Sequence, residues 1–184
     1  MKTKLKSILA LALCAVGLAA FAEEPDAVQL WKDGPYWATS NVGTPETHDP
    51  AYPAEYGALY KFDDAGTAVK SLLGEEWRVP SKDDLKGLLD SSKCTKAKVT
   101  DDAGKFLGYT FTGAADGYTD KSIFLPAAGS DQVSGRKDAG VNGHYWSFTE
   151  KDSGVAWYFG FNVYKSAGVD SYDRRFGLSV RAVR

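Results

Sequence analysis

The sequence predicts an α+β domain, on three observations. Two segments with helical spacing fall early, between residues 60 and 90. From Cys94 onward the apolar period shortens to two. The last ten residues read as a good strand, and a chain end of that kind docks in a sheet instead of fraying. Helices first and strands later is the pattern of helices set against an antiparallel sheet.

The domain is expected to begin after a leader. Lys2, Lys4 and Lys6 form a positive start, Ile8 to Leu18 an apolar run, and Ala20-Phe21-Ala22 a cleavage site. Residues 1–22 therefore read as a secretory signal peptide, with a run too short to span a membrane. Cys14 follows Leu13, where a lipid-attachment site wants a small residue, so no lipid anchor is expected. Residues 23–29 read as a short leader and residues 30–184 as one domain. After cleavage 162 residues remain, with 19 basic against 24 acidic side chains, a net charge of −5. A chain of that length buries about 70% of its unfolded surface. Its acidic balance without a basic stripe argues against a nucleic-acid partner. Nothing after the signal is apolar enough for membrane insertion. Cleavage leaves only Cys94, so no internal disulfide is available and the core must supply the stability. Five Trp, ten Tyr and nine Phe provide large rings for it.

Taken in order, Leu30-Trp31 and Tyr36-Trp37-Ala38 read as short strands around the turn Lys32-Asp33-Gly34-Pro35. Residues 43–53, with three prolines, read as a loop. Asp63 or Asp64 is expected to cap a helix whose apolar face is Ala65, Ala68, Val69 and Leu72, stopped by Gly74. Ser81 with Asp84 approximates a capping box for a second helix bearing Leu85, Leu88 and Leu89. Strands are expected around Ala97 and Val99, from Phe106 to Thr112, and at Ser122-Ile123-Phe124-Leu125. Residues 130–142 read as a long polar loop. The closing strands lie at Tyr145-Trp146 and residues 156–164, with a polar loop over residues 165–174 and a last strand over residues 175–184.

Few residues carry obvious chemistry. His48 and His144 lack the local partners that a zinc site needs. Cys94 has no base in reach by sequence and reads as a buried, inert thiol. The pairs Glu75-Glu76, Asp83-Asp84 and Asp101-Asp102 suit caps and turns, and no calcium loop motif occurs. In Trp77-Arg78-Val79-Pro80, Trp77 is expected to fill the core and Arg78 to pair with a carboxylate or carbonyls; Arg181 receives the same reading. No catalytic residue, metal ligand or cofactor is assigned.

The aromatic run divides by strand parity. Trp157, Phe159, Phe161 and Val163 share one apolar face, expected to be core. Ala156, Tyr158, Gly160, Asn162 and Tyr164 share the other, expected to be wet. Tyr offers large rigid contact area and Asn adaptable hydrogen bonds, a mixture that suits a binding surface. The candidate ligand-binding residues are Tyr158, Asn162 and Tyr164 on the strand, with Asp170, Tyr172, Asp173 and Arg174 from the loop beside it. Tyr would supply stacking, Asn and Asp hydrogen bonds, and Arg174 a fork for a carboxylate.

Several motifs in order carry a resemblance. Trp37-Ala38-Thr39-Ser40-Asn41-Val42-Gly43 opens it. Tyr56-Gly57-Ala58-Leu59-Tyr60, Trp77-Arg78-Val79-Pro80-Ser81 and Ser122-Ile123-Phe124-Leu125-Pro126-Ala127-Ala128-Gly129 follow. Tyr145-Trp146-Ser147 and Gly177-Leu178-Ser179-Val180-Arg181 close it. Together they resemble the Fibrobacter succinogenes major paralogous domain family. The resemblance implies a C-type lectin-like fold with paired first and last strands, shared with the formylglycine-generating enzyme and with retroelement variable proteins. The signal peptide and the Tyr/Asn face together lead to the expectation of a secreted or cell-surface, non-catalytic binding module, periplasmic or extracellular, whose ligand is a glycan or a protein. A structural or adhesin subunit of a surface assembly is the alternative. The formylglycine-generating chemistry needs two cysteines, and the calcium lectin motifs are missing, so neither carries over.

Overall fold

The computed structural model of this protein describes residues 26–43, 52–164 and 166–184. The expected signal peptide, the first part of the leader, and residues 44–51 with His48 lie outside the described residues. Among the described residues are ten strands, two α-helices and one short 3-10 helix at Ala54–Tyr56. The strands and α-helices are β1 (Ala27–Gln29), β2 (Tyr36–Ala38), α1 (Phe62–Leu73), α2 (Lys82–Gly87), β3 (Cys94–Thr100), β4 (Phe106–Gly113) and β5 (Ser122–Pro126). They continue with β6 (Ser130–Gln132), β7 (Gly135–Lys137), β8 (Asn142–Glu150), β9 (Val155–Asn162) and β10 (Ala167–Asp173). The ladders are antiparallel, in the orders β1-β2, β3-β4-β5, β6-β7 and β10-β9-β8. Two helices and antiparallel sheets make this an α+β architecture. No described helix is long and apolar enough to cross a membrane.

The helices follow their sequence signals with one change each. On α1, Phe62, Ala65 and Val69 form the buried stripe, while Leu72, expected on it, is exposed. Lys61, not an aspartate, is the N-cap, and it makes no side-chain cap. Asp63 and Asp64 sit inside the first turn, where negative charge complements the helix dipole. Gly74, at φ 105°, ends the helix in a conformation that favours glycine. On α2 the capping box forms in full. Ser81 Oγ accepts from the Asp84 amide at 3.1 Å, and Asp84 Oδ2 accepts from the Ser81 amide at 2.8 Å. The same Asp84 oxygen accepts from Arg78 Nη1 at 2.7 Å, so Arg78 has the carboxylate expected for it. Leu85 and Leu88 are buried; Leu89 lies beyond the short helix and is exposed.

Four strands differ from expectation. The first, β1, lies three residues early, within the expected leader, and pairs Ala27 with Ala38. The polar stretch after Ser130 folds into the β6–β7 hairpin. Residues 167–173, expected as loop, form β10 along β9. Its small and polar side chains carry no hydrophobic alternation, and the pairing comes from the ladder with β9.

The C-terminal run differs most. Residues 177–183 are all buried. They form no continuous ladder but bridge a different segment at nearly every step: Asp131 to Gly177, Tyr60 to Leu178, Tyr145 to Ser179, and both Trp37 and Arg78 to Val183. The two ends of the domain pair through Tyr36 and Arg184, each amide 2.9 Å from the other's carbonyl oxygen.

Two cores result. One, around Trp37, Phe111, Leu125 and Tyr145, takes Phe159 and Phe161 from β9. The other, around Phe62, Trp77, Trp146 and Val180, takes Ala156. The parity expectation is therefore corrected at the start of β9. Ala156, assigned to the wet face, is fully buried, and Tyr158 and Tyr172 pack against the second core. Trp157, assigned to the core, is half-buried with Lys82 Nζ 3.0 Å from its ring centre. The sheet is covered on both faces at this end, and Trp157 reaches past the first core to the start of α2.

At the centre lies Arg181, fully buried. Its guanidinium donates to Asn41 Oδ1 at 2.8 and 3.1 Å, to the Ala38 oxygen at 3.0 Å and to the Phe124 oxygen at 2.8 Å. Burial pulls its pKa down to about 10, which leaves it charged at neutral pH. Arg181→Met is expected to cost at least about 3 kcal/mol, because buried acceptors left unpaired cost roughly 1–3 kcal/mol each. Arg181→Lys should recover only part of this, since an ammonium lacks the planar fork. Urea unfolding midpoints against wild type check both.

Candidate ligand-binding site

The face of the β8–β9–β10 sheet that carries Tyr158 is built in rows by the register. Tyr158 stands between Trp146 and Asp170, Gly160 between His144 and Gly168, and Asn162 beside Asn142. Paired residues in a ladder point to the same side, so these side chains share one surface. A cavity of about 350 Å³ opens on it, lined by Asn142, His144, Tyr158, Gly160, Asn162, Ser166, Gly168 and Asp170 among others.

The two glycines shape the groove. A Cβ on Gly160 would stand 2.7 Å from Tyr158 Cε2, so the Tyr158 ring lies down over Gly160. A Cβ on Gly168 would meet nothing within 4 Å, so the floor there is open. The Tyr158 ring packs edge-on to His144 at 5.4 Å and tilted to Tyr172 at 5.3 Å. Tyr172 also lies 5.7 Å from His144 and accepts from Gln132 Nε2 at 3.2 Å. His144 Nδ1 is buried without a hydrogen-bond partner. Burial lowers the His144 pKa below the ordinary histidine value, against an opposing pull from Asp138. Burial raises the Tyr158 hydroxyl, with Asp170 and Tyr172 adding to the effect.

The seven expected site residues divide. Tyr158, Asn162 and Asp170 line the groove, and Tyr172 backs it. Asn162 Oδ1 accepts from the Tyr164 amide at 2.9 Å and shapes the turn there. Tyr164 itself is 84% exposed on that turn and lines no part of the groove. Asp173 is taken by Arg175, whose hydrogen bonds pull its pKa down to about 2. Arg174 faces α1: it pairs with Asp63 and with Glu150 at 3.4 Å, and stands 4.6 Å from the Phe62 ring centre. Its fork does hold carboxylates, but those of its own chain; Asp173 and Arg174 lie together on a separate cavity with Lys61, Ser153 and Gly154, outside the groove. His144, Asn142, Ser166 and Gly168 were not assigned from sequence. The Gly160 and Gly168 spacing was visible, but only the register sets them side by side.

A larger cleft of about 570 Å³ lies where Arg174 points, between Phe62, Trp77, Val79 and a largely exposed Phe148. Its charged groups are matched within the chain: Arg174 with Asp63 and Glu150, Arg78 with Asp84, Lys70 with Glu75. It therefore offers apolar surface but little to orient a ligand, and the smaller groove is the better candidate. Among the described residues no three His, Cys, Asp or Glu side chains converge to hold a metal ion. Cys94 is buried, and burial pushes its thiol up to about 12, so it is not a thiolate at neutral pH.

The chain matches no family model, and no curated protein or solved structure is significantly similar to it.

His144 links the groove to pH. Its folded pKa is depressed, so the unfolded chain takes up the proton first, and stability falls as pH drops below the unfolded value of about 6.5. Above about pH 7.5 the effect vanishes. The melting temperature is expected to fall between pH 7.5 and 5.5 in wild type and to fall less in His144→Gln. Equal pH slopes in the two proteins would remove His144 as the cause.

Proposed function

We propose that this chain is a secreted or surface-exposed, non-catalytic binding module of C-type lectin-like fold, related to the Fibrobacter succinogenes major paralogous domain family. The order of motifs, the pairing of Tyr36 in β2 with Arg184, and two early helices followed by antiparallel strands support the fold reading. The convergence of Tyr158, Asn162 and Asp170 on one groove with an open glycine floor carries the functional reading. Tyr gives a large rigid face at little entropic cost, and the amides and carboxylate fix orientation. The ligand is a glycan or protein met in the periplasm or outside the cell. The buried Cys94, with its raised pKa, speaks against a cysteine-based enzyme. A structural subunit of a surface assembly is the second reading; β10 favours it, because it is the edge of its sheet with no strand on its outer side among the described residues.

Gly168→Trp tests the groove. Open space at Gly168 lets the ring enter without displacing the fold, so the melting temperature should stay close to wild type. Binding on a glycan or cell-surface protein array should fall at least about tenfold, consistent with hot-spot losses of about 1.4 kcal/mol or more. Tyr164→Ala should leave binding intact. Array binding unchanged in a folded Gly168→Trp protein would move the site elsewhere.

A further inference from the structure

We infer that the groove receives an organic cation, an ammonium or guanidinium group laid against the Tyr158 ring with its charge toward Asp170. This rests on the reading of the groove as a ligand site and names the chemistry it selects.

Three observations carry it. First, the Tyr158 ring carries no cation of this chain, whereas several other rings do. Lys82 stands 3.0 Å from the Trp157 ring centre, Arg136 4.7 Å from that of Tyr52, and Arg174 4.6 Å from that of Phe62. Among the described residues no Lys or Arg stands over Tyr158 or Tyr172. Second, Asp170 is the one formal charge in the lining, and no described cation pairs with it. One of its oxygens accepts from the Ser171 amide at 2.7 Å. A carboxylate accepts at several further positions. Third, the remaining lining carries no Lys, Arg or Glu: two Asn, one Ser, Phe161, Val169 and glycine backbone, beside the buried His144 ring. Ring face and carboxylate together attract a cation and repel an anion.

The ring spacing sets where the cation sits. Tyr158, Tyr172 and His144 pack on one another at 5.3 to 5.7 Å between centres, which leaves no room between them. The cation therefore takes the outward side of the Tyr158 ring, above the open Gly168 floor, and is not caged. With one ring and one exposed carboxylate, a lone small cation should bind with a dissociation constant on the order of millimolar. Longer ligands would add contacts along Asn142 and Asn162.

The test uses the full chain and two probes followed by NMR at the His144 and Tyr158 ring resonances. One is Nα-acetyl-lysine methylamide, a cation at neutral pH; the other is its neutral Nε-acetylated form. The cationic probe alone should shift these resonances in a saturable, salt-weakened way. Asp170→Asn should weaken binding at least about fivefold, and Tyr158→Leu, checked for folding by its melting temperature, should abolish the His144 shifts. Asp173→Asn, whose carboxylate lies outside the groove, should bind as wild type. Equal shifts from the neutral probe, or an Asp170→Asn protein that binds as tightly, would overturn the inference. A neutral methyl glycoside that shifts the same resonances while the cation does not would overturn it and leave the groove as a binding site. Silence from every probe would also overturn it, and the array comparison with Gly168→Trp would then decide the binding-module reading separately.

Discussion

A cation buried without a carboxylate is the constraint on which this structure depends. Taking a guanidinium out of water is costly unless its donors are met. Here neutral oxygens meet them, from Ala38, Asn41 and Phe124, which belong to widely separated parts of the chain. Asn41 extends the set. It donates to the Tyr56 oxygen at 3.1 Å and, at 3.4 Å, to the Tyr145 hydroxyl, which donates to the Pro126 oxygen at 2.7 Å. A network of this kind is satisfied only when every segment is in place, so it specifies one arrangement of the chain as well as contributing to its stability.

The C-terminal run passes that order on to the sheet of the groove. Ser179 donates to the His144 oxygen at 3.0 Å and accepts from the Trp146 amide at 3.0 Å. This fixes β8 against the buried terminus, and β9 is fixed in turn by Phe159 and Phe161 below and Ala156 above. The groove is thus a shallow feature on a rigid support, with its rings held by packing and only its Gly168 side left open. A surface held this way has little conformational freedom left to lose.

Much of the fold was legible in the sequence because local signals were strong. The capping box at Ser81, the Gly74 stop, the β3–β4 hairpin and the burial of Trp77 all follow from short-range chemistry. Other features depend on distant pairing. The stretch Ala167–Asp173 has no alternation of its own and becomes a strand through β9. Residues 177–183 are buried on all sides, so no alternation could mark which neighbours they bridge. Of the candidate groove, Tyr158, Asn162 and Asp170 were readable from parity and composition. His144 was not, because its ring neighbours arrive from β9 and β10. Arg174 misled for a related reason: a fork suited to carboxylates was visible, and Asp63, which it holds, lies far away in sequence.

The path of β9 has a consequence for how this chain can change over time. At its Ala156 end the strand presses a fully buried side chain into the second core, and a larger one there would collide with it. At its Asn162 end the same strand meets core on one face and solvent on the other. Tolerance to substitution therefore rises along a single strand, within a few residues and without a domain boundary. Descendants of this sequence could trade one surface chemistry for another at the far end while the near end keeps the architecture intact.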